Sequence, residues 1–277
     1  MAERIVAALA SRARHAAAER VRSRPAATLE GYELVLKAGF ALATYGARQA
    51  DEALELLDRA LRVDDRHAAA WTLVARANLR LYLHPLDERH LSPAVLARAR
   101  EAAVRAVSLD PDSASAHAAL GNAKLWERRY DESLASLRRA VELHPHDVTA
   151  LYWYGDALGR AGEHRPSMQV LERVRTLDPF SPPHVLGQLA RAYLMLGDYD
   201  RALSLARDST VRDAGATLCL GIQAIATYEL GFADESAETR RRLVDKYPGY
   251  STRLRRFRDD RDEAKFLGYL RRAGFTE

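Results

Sequence analysis

Histidine and cysteine are the side chains in this 277-residue chain best suited to bind a metal or to act as nucleophiles. His144 and His146 are separated by one proline, and His84 and His90 enclose two acidic residues in a loop. Zinc needs three or four converging ligands, usually at helical spacing or with cysteine partners, and neither group supplies them. The single cysteine, Cys219, rules out an intramolecular disulfide and lies in an apolar helical run typical of an inert buried thiol. We therefore predict no metal site and no cysteine chemistry.

Acidic residues cluster at positions 259–263, but their spacing and the absence of a central glycine do not fit a calcium loop. Acids at the start of a helix satisfy free amide donors and the positive end of the helix dipole, so we interpret this cluster as a helix start. The sequence also lacks a glycine-rich phosphate loop, a nucleophile elbow and a Cys/His pair. It therefore predicts no catalytic residue, no cofactor and no enzymatic activity.

The composition favours helix almost throughout, because the chain is 48% hydrophobic and has only 15 Gly and 10 Pro. The net charge of +4 is concentrated at the ends, where residues 1–28 carry six Arg against two Glu. Solvated arginine-rich helices commonly produce such ends, so the charge does not by itself indicate a nucleic-acid surface. The longest uncharged run, residues 214–228, is too short to cross a bilayer. With one cysteine, the chain is expected to be cytoplasmic.

The first 24 residues are arginine-rich and amphipathic, which is similar to an organellar presequence. Glu3 and Glu19, and the lack of a cleavage-type apolar stretch, argue against targeting. We predict instead that this segment is a packed or linking helix.

An internal repeat is the dominant feature of the sequence. Leu-Asp-Pro or Leu-His-Pro ends at Pro111, Pro145 and Pro179, at intervals of 34 residues. In a two-helix unit, small residues allow close helix approach, glycine ends the first helix in a left-handed conformation, and proline stops the second helix. Residues of these types keep the same frame: small residues at Ala53, Ala99, Ser133, Ser167, Ala202 and Ser236, turn glycines at Gly162, Gly197 and Gly231, and Gly121 and Gly155 one period apart, with Ala75, Ala190 and Ala224 in matching places.

The 34-residue period, quoted as ASAHAALGNAKLWERRYDESLASLRRAVELHPHD from Ala114, resembles the tetratricopeptide repeat family over about residues 30–248. The resemblance implies an all-α, right-handed superhelix of about six helical hairpins with flanking helices at both ends. We expect a basic N-terminal helix or linker (1–28), the repeat array (29–248, with an insertion at 82–92) and C-terminal capping helices (249–277). The helices are predicted over 3–22, 29–44, 50–63, 68–81, 93–109, 114–127, 131–143, 148–161, 165–177, 184–196, 199–212, 216–230, 233–246, 250–258 and 260–273.

The flanks of the array support a narrower resemblance. The segments ERIVAALASRARHAAAERVRSRP, TLEGYELVLKAGFALAT and YSTRLRRFRDDRDEAKFLGYLRRAGFTE are similar to the flanks of the repeat regions in bacterial class III adenylate/guanylate cyclases and related winged-helix regulators. This resemblance implies a sensor or interaction domain in bacterial signalling. No cyclase residue can be carried over to this chain.

In stacked helix pairs, the first helix of each repeat lines one continuous concave surface. Aromatic and cationic side chains there suit an extended or helical peptide with acidic groups, although ordinary solvated groove residues are an equal alternative. Trp71 and Trp153 are interpreted as packing residues. A chaperone carboxylate clamp is not expected, because Thr72, Ala119 and Thr149 stand among its positions. The predicted groove residues are Arg76, Arg80, Asn122, Trp126, Tyr152, Asp156, Arg160, Arg191, Met195 and Tyr228.

The sequence thus predicts a non-enzymatic scaffold that captures a protein or peptide in its groove, and the arginines there suit a partner with acidic groups. The alternative is a regulatory module of a cyclase-like or transcription-control system, acting by homo-oligomerisation or by docking on an effector. An enzyme or a nucleic-acid binder is a third hypothesis, against which the absence of motifs weighs. No membrane association is expected.

Overall fold

The structure is a computed structural model that describes residues 26–43, 46–84, 87–180, 182–213, 216–247 and 257–275. Across these residues the chain forms thirteen α-helices and no β-strand, which confirms the predicted all-α class. The chain divides into two compact units, Met1–Pro111 and Asp112–Glu277, which are described separately. The predicted helix over 3–22 lies outside the described residues, as does most of the one over 250–258, whose last two residues are not helical.

The first unit contains two helical hairpins. Each helix packs against the next one along the chain, and the first also contacts the third. Ala53 and Ala99, which the repeat frame assigned to close helix contacts, are fully buried. The four helices are α1 (Ala26–Ala41), α2 (Ala47–Val63), α3 (Ala68–Leu83) and α4 (Pro93–Leu109).

Arg89 links the insertion predicted at 82–92 to α2. Arg89 donates to both carboxylate oxygens of Asp51 in α2, at 2.6 and 2.9 Å, and also to Asp87 within the insertion. The hydrogen bond from Arg89 lowers the pKa of Asp87 to about 2. These contacts hold the described part of the insertion, residues 87–92, against α2.

The second unit contains four further hairpins and a final helix. The first helix of each hairpin contacts the first helix of the following one, so these helices share one face of the unit. With the two hairpins of the first unit, the described residues form six hairpins, the number predicted. The helices are α5 (Ala114–Trp126), α6 (Tyr130–Leu143), α7 (Val148–Arg160), α8 (His164–Leu177), α9 (Pro183–Leu196), α10 (Tyr199–Arg212), α11 (Thr217–Glu229), α12 (Ala233–Lys246) and α13 (Asp260–Arg272).

The periodic small residues hold the two helices of a hairpin together. A Cβ atom added at Gly155 would lie 2.7 Å from Leu171 Cγ, so only glycine fits without displacing that leucine. Ser167 Oγ donates to the Gly155 carbonyl oxygen at 2.6 Å, and Ser133 makes the same bond to Gly121 at 2.7 Å one repeat earlier. The helices therefore approach closely enough for a serine to bridge them, as the repeat frame predicted.

The turn glycines adopt the predicted left-handed conformation. Gly162, Gly197 and Gly231 have φ angles of 93°, 83° and 90°. At the equivalent turn between α5 and α6 this conformation is taken by Arg128, with φ of 64°. A left-handed residue that is not glycine carries a backbone cost of roughly 1–2 kcal/mol.

Exchanging the residue types at two of these turns is expected to change stability in opposite directions. Arg128→Gly should raise the free energy of unfolding by about 0.5–1 kcal/mol, because relief of the backbone cost exceeds the extra chain entropy of glycine. Gly197→Ala should lower it by about 1 kcal/mol through conformation alone, because no atom lies within 4 Å of the added Cβ position. Urea unfolding of both variants measures the two values. A loss of stability in Arg128→Gly would contradict the assignment.

Candidate functional site

The predicted groove residues of the first unit lie together on α3. Arg76 and Arg80 are one helical turn apart, which places them on the same side of the helix. Arg76 is exposed, whereas Arg80 is half-buried. The other eight predicted residues belong to the second unit, where the structure shows direct contacts among them.

An ion network joins α7 and α9 beneath the face of the second unit. Asp156 Oδ1 accepts from Arg191 Nη2 at 2.6 Å and from Arg160 Nε at 3.0 Å. Asp156 and Arg191 are 1% and 2% exposed, so this pair lies in the interior. The contact links equivalent repeat positions on neighbouring first helices and fixes how these helices stack.

Burial and charge act in opposite directions on this network. Burial alone would raise the pKa of Asp156, but the guanidinium groups of Arg160 and Arg191 outweigh it, so the pKa lies below its ordinary value. Burial also lowers the pKa of Arg191, and Asp156 opposes that effect. A buried charge is retained only when it is paired and hydrogen-bonded. The network is therefore a structural support that depends on all of its charges.

Aromatic rings extend this network towards the surface. The Arg160 guanidinium lies over the ring of Trp126, at 4.5 Å from its centroid. The ring of Tyr152 contacts Trp153 edge-on at 4.7 Å and His184 of the next first helix at 4.8 Å. His184 is exposed and the two tryptophans are half-buried, whereas Tyr152 is buried. Part of the accessible surface of this face is therefore aromatic.

The C-terminal segment, defined here as residues 257–275, covers part of the same unit. The fully buried ring of Phe257 lies 5.6 Å from the Arg191 guanidinium carbon and 5.8 Å from the ring of His164. Lys265 Nζ donates to the backbone carbonyl of Met195 at 2.7 Å. Arg191 and Met195 thus lie beneath this segment and do not face solvent.

Contacts of the C-terminal segment run along the hairpin turns from α6 to α11. His164 Nε2, at the start of α8, lies 3.0 Å from Asp262 Oδ2. Burial lowers the pKa of this histidine, although the Asp262 carboxylate acts in the opposite direction. Asp259 accepts from the backbone N–H of Arg261 at 2.7 Å, which confirms that the acidic cluster begins a helix. Further polar contacts are Arg258 with Asp131 (2.7 Å) and with the Arg160 carbonyl (2.8 Å), Tyr199 with Tyr269 (3.3 Å) and Arg272 with Glu229 (2.7 Å).

The structure corrects the exposure that the groove prediction assumed for half of its residues. Neighbouring first helices and the C-terminal segment bury side chains that the repeat frame alone places on an open surface. Arg76 and Tyr228 are exposed, and Arg80, Trp126 and Arg160 are half-buried. Whether any of these residues contacts a partner stays a prediction. The residues found to be buried are Asn122, Tyr152, Asp156, Arg191 and Met195.

Sequence reasoning did not single out His184 or Gln188 and assigned Trp153 to packing alone. His184 lies 35 residues after Thr149, so extending the repeat frame to the first turn of each first helix would have found it. Gln188 is near Tyr152, and its hydrogen bond lowers the pKa of that phenol, although burial dominates and raises it. Phe257, which covers Arg191, carries no repeat signal because it lies outside the array.

The sequence also raised Cys219 as a possible nucleophile and the histidines as possible metal ligands. Cys219 is 1% exposed and donates to Ser209, and burial raises the pKa of its thiol to about 11, as expected of an inert core cysteine. Within the described ranges, no three His, Cys, Asp or Glu side chains converge as metal ligands. None of the helices described is both long and apolar enough to cross a membrane.

Comparison with known proteins identifies the repeat. A family model described as "Tetratricopeptide repeat" matches residues 39–85 and 118–182. No curated protein sequence matches the chain. The similar solved structures named next are between 13% and 21% identical to this chain, so they show the fold alone. They include pilF of Pseudomonas aeruginosa (17% identity, TM-score 0.57, 86% of this chain and 98% of that one), the type IV pilus biogenesis factor PilW (21%, 0.58, 77% and 93%) and the APC/C hetero-tetramer Cut9–Hcn1 (13%, 0.64, 89% and 46%).

Proposed function

We propose that this chain, in which residues 39–85 and 118–182 match the tetratricopeptide repeat model, is a non-enzymatic scaffold that binds a protein or peptide partner on the first-helix face of its second unit. The observation that carries this proposal is that three successive first helices each present an aromatic side chain that is at least partly accessible: Trp126, Trp153 and His184. Rigid aromatic side chains supply much of the binding energy at protein interfaces at low entropic cost. A cytoplasmic location belongs to the same proposal, since a single buried cysteine suits a reducing compartment.

Support for this face comes from the interior beneath it. The ion pair between Asp156 and Arg191 and the ring contact between Tyr152 and His184 both join α7 to α9. The aromatic groups are thus held in place before a partner arrives, and preorganisation reduces the entropy lost on binding. Because Asp156 already engages Arg160 and Arg191, we expect apolar and aromatic contacts to anchor the partner.

Two added charges on this face should abolish partner capture. Thr149 and His184 are both exposed at equivalent positions of α7 and α9, so the double variant Thr149→Glu/His184→Glu places two carboxylates on the same face as the aromatic side chains. We expect the amount of partner protein captured from a native lysate to fall at least about tenfold. Quantitative mass spectrometry with isotope labelling measures this amount. Like-charge and desolvation costs oppose any apolar or acidic ligand there.

The matched control adds the same charges to α8. Gln169 and Thr176 are exposed on this second helix, so Gln169→Glu/Thr176→Glu should leave capture at the wild-type level. Circular dichroism and thermal unfolding establish that both variants are folded. Equal capture by the Thr149/His184 variant and the wild type would reject this face as the binding surface.

A further inference from the structure

Three cationic residues of the C-terminal segment contact the ends of three successive first helices. The backbone N–H of Arg258 donates to the carbonyl oxygen of the last residue of α7 at 2.8 Å. Lys265 Nζ donates to the carbonyl oxygen of Met195, in the last turn of α9, at 2.7 Å. Arg272 pairs with Glu229, the last residue of α11, at 2.7 Å. The segment therefore crosses α7, α9 and α11 in chain order.

The spacing of these contacts matches the spacing of the helices. Positions 258, 265 and 272 are seven residues apart, and the segment is helical from residue 260 onward. Seven residues of an α-helix rise about 10.5 Å, and packed helices lie about 8–10 Å apart. One side of a helix can therefore place one cation at the end of each successive first helix.

Electrostatics favours basic residues along this edge. The last carbonyl groups of a helix carry a partial negative charge and have no partner within the helix. The Arg258 guanidinium also reaches the carboxylate of Asp131, in the first turn of α6, at 2.7 Å. Asp262 makes the opposite pairing, because it lies 3.0 Å from His164 at the start of α8, where a helix carries a partial positive charge. The edge is thus complementary to the order of charges along the segment.

Aromatic side chains beside the cations anchor the segment. Phe257 and Phe266, each next in sequence to one of the contacting cations, are fully buried. The backbone of α13 packs against α11, and residues 185–195 of α9 and 219–227 of α11 are all buried. A further hairpin of the array would stack on the last one, because each repeat contacts its neighbours. The C-terminal segment instead crosses three first helices, as a helical ligand lies in a groove.

We propose that the edge formed by the C-terminal ends of α7, α9 and α11 is a docking site for a basic amphipathic helix. The C-terminal segment occupies this site in cis, and a partner helix with cations at seven-residue spacing and adjacent aromatic anchors displaces it. A tethered occupant has a high effective concentration, so a free helix binds more weakly in proportion to the fraction of open sites. The proposal does not depend on partner binding at Trp126, Trp153 and His184.

Binding of a fluorescent peptide of residues 257–275 to the full chain tests the proposal by fluorescence anisotropy. Phe257→Ala/Phe266→Ala in the chain removes the anchors of the resident segment and leaves the edge itself unchanged. This variant should bind the peptide at least about tenfold more tightly than the wild type does. Phe180→Ala, a change at a 91% exposed position, is the matched control and should bind it as the wild type does.

Two further measurements keep the test decisive if the loss of both rings unfolds the second unit. Asp262→Ala/Arg272→Ala removes two ion pairs of the segment but keeps the buried rings, and it should tighten peptide binding about threefold. A peptide carrying Lys265→Glu/Arg272→Glu should bind this variant at least about tenfold more weakly than the unmodified peptide, because its carboxylates meet helix C-termini.

Hydrogen exchange of the wild-type chain separates a displaceable occupant from a fixed cap. Release of the segment alone exposes the amides of α13 while α9 stays folded, so α13 should exchange at least about tenfold faster than α9. Equal exchange in α13 and α9 would overturn the proposal, since it means that the segment opens only when the whole unit unfolds. Peptide affinity that is unchanged in folded variants, or equal for the two peptides, would overturn it as well.

Discussion

Phe266→Ala is expected to lower the free energy of unfolding of the second unit by about 3–5 kcal/mol. The Phe266 side chain is fully buried, and its ring lies 5.7 Å from that of Phe257. Truncation removes apolar contacts and leaves a cavity that the surrounding helices cannot fill completely. Since α13 contacts the hairpin turns of this unit, weakening it should also speed hydrogen exchange in α11. Urea unfolding gives the free energy, and exchange locates the opened region.

A matched phenylalanine in the same unit separates packing from residue type. Phe180 is 91% exposed, so Phe180→Ala should change the free energy of unfolding by no more than about 0.5 kcal/mol. Similar values for the two variants would show that the C-terminal segment is not part of the folded core. The larger loss at Phe266 would support the capping role predicted for residues 249–277.

The helix boundaries were predictable because their signals are local. The bounds of α4, α10 and α12 agree with the predicted 93–109, 199–212 and 233–246. Proline at the first position of α4 and the left-handed Gly197 before α10 are signals that a sequence shows directly. α1 spans Ala26–Ala41, so it begins and ends three residues earlier than the predicted 29–44.

The burial of the site residues was not predictable because it depends on distant contacts. Asp156 and Arg191 are 35 residues apart, and the repeat frame shows only that they occupy equivalent positions. Phe257 reaches Arg191 from outside the array, where no periodic pattern indicates its position. The frame therefore predicts which helix face a residue lies on, but it does not predict which other segment covers that face.

Removing the carboxylate of Asp156 is expected to cost about 3–5 kcal/mol, because Arg191 would be left buried without a counter-charge. Arg160 is 12% exposed and can turn towards water, so the penalty falls mainly on Arg191. Asp208 forms an exposed pair with Arg212 at 3.0 Å, and Asp208→Ala should cost at most about 0.5 kcal/mol. Chemical unfolding at neutral pH compares Asp156→Ala with this control. Equal costs would contradict a buried ion pair.

Replacing both partners should remove that cost. Asp156→Leu/Arg191→Met fills a similar volume without charge and is expected to be neutral or stabilising by about 1–4 kcal/mol relative to the wild type. The pH dependence has a defined sign. The folded pKa of Asp156 lies below its ordinary value of 3.8, so its contribution is present above that pH and is lost as the pH falls through the folded pKa. The double variant should lack this loss in acid, because it has no carboxylate to protonate, and a parallel acid loss in both proteins would place the titrating group elsewhere.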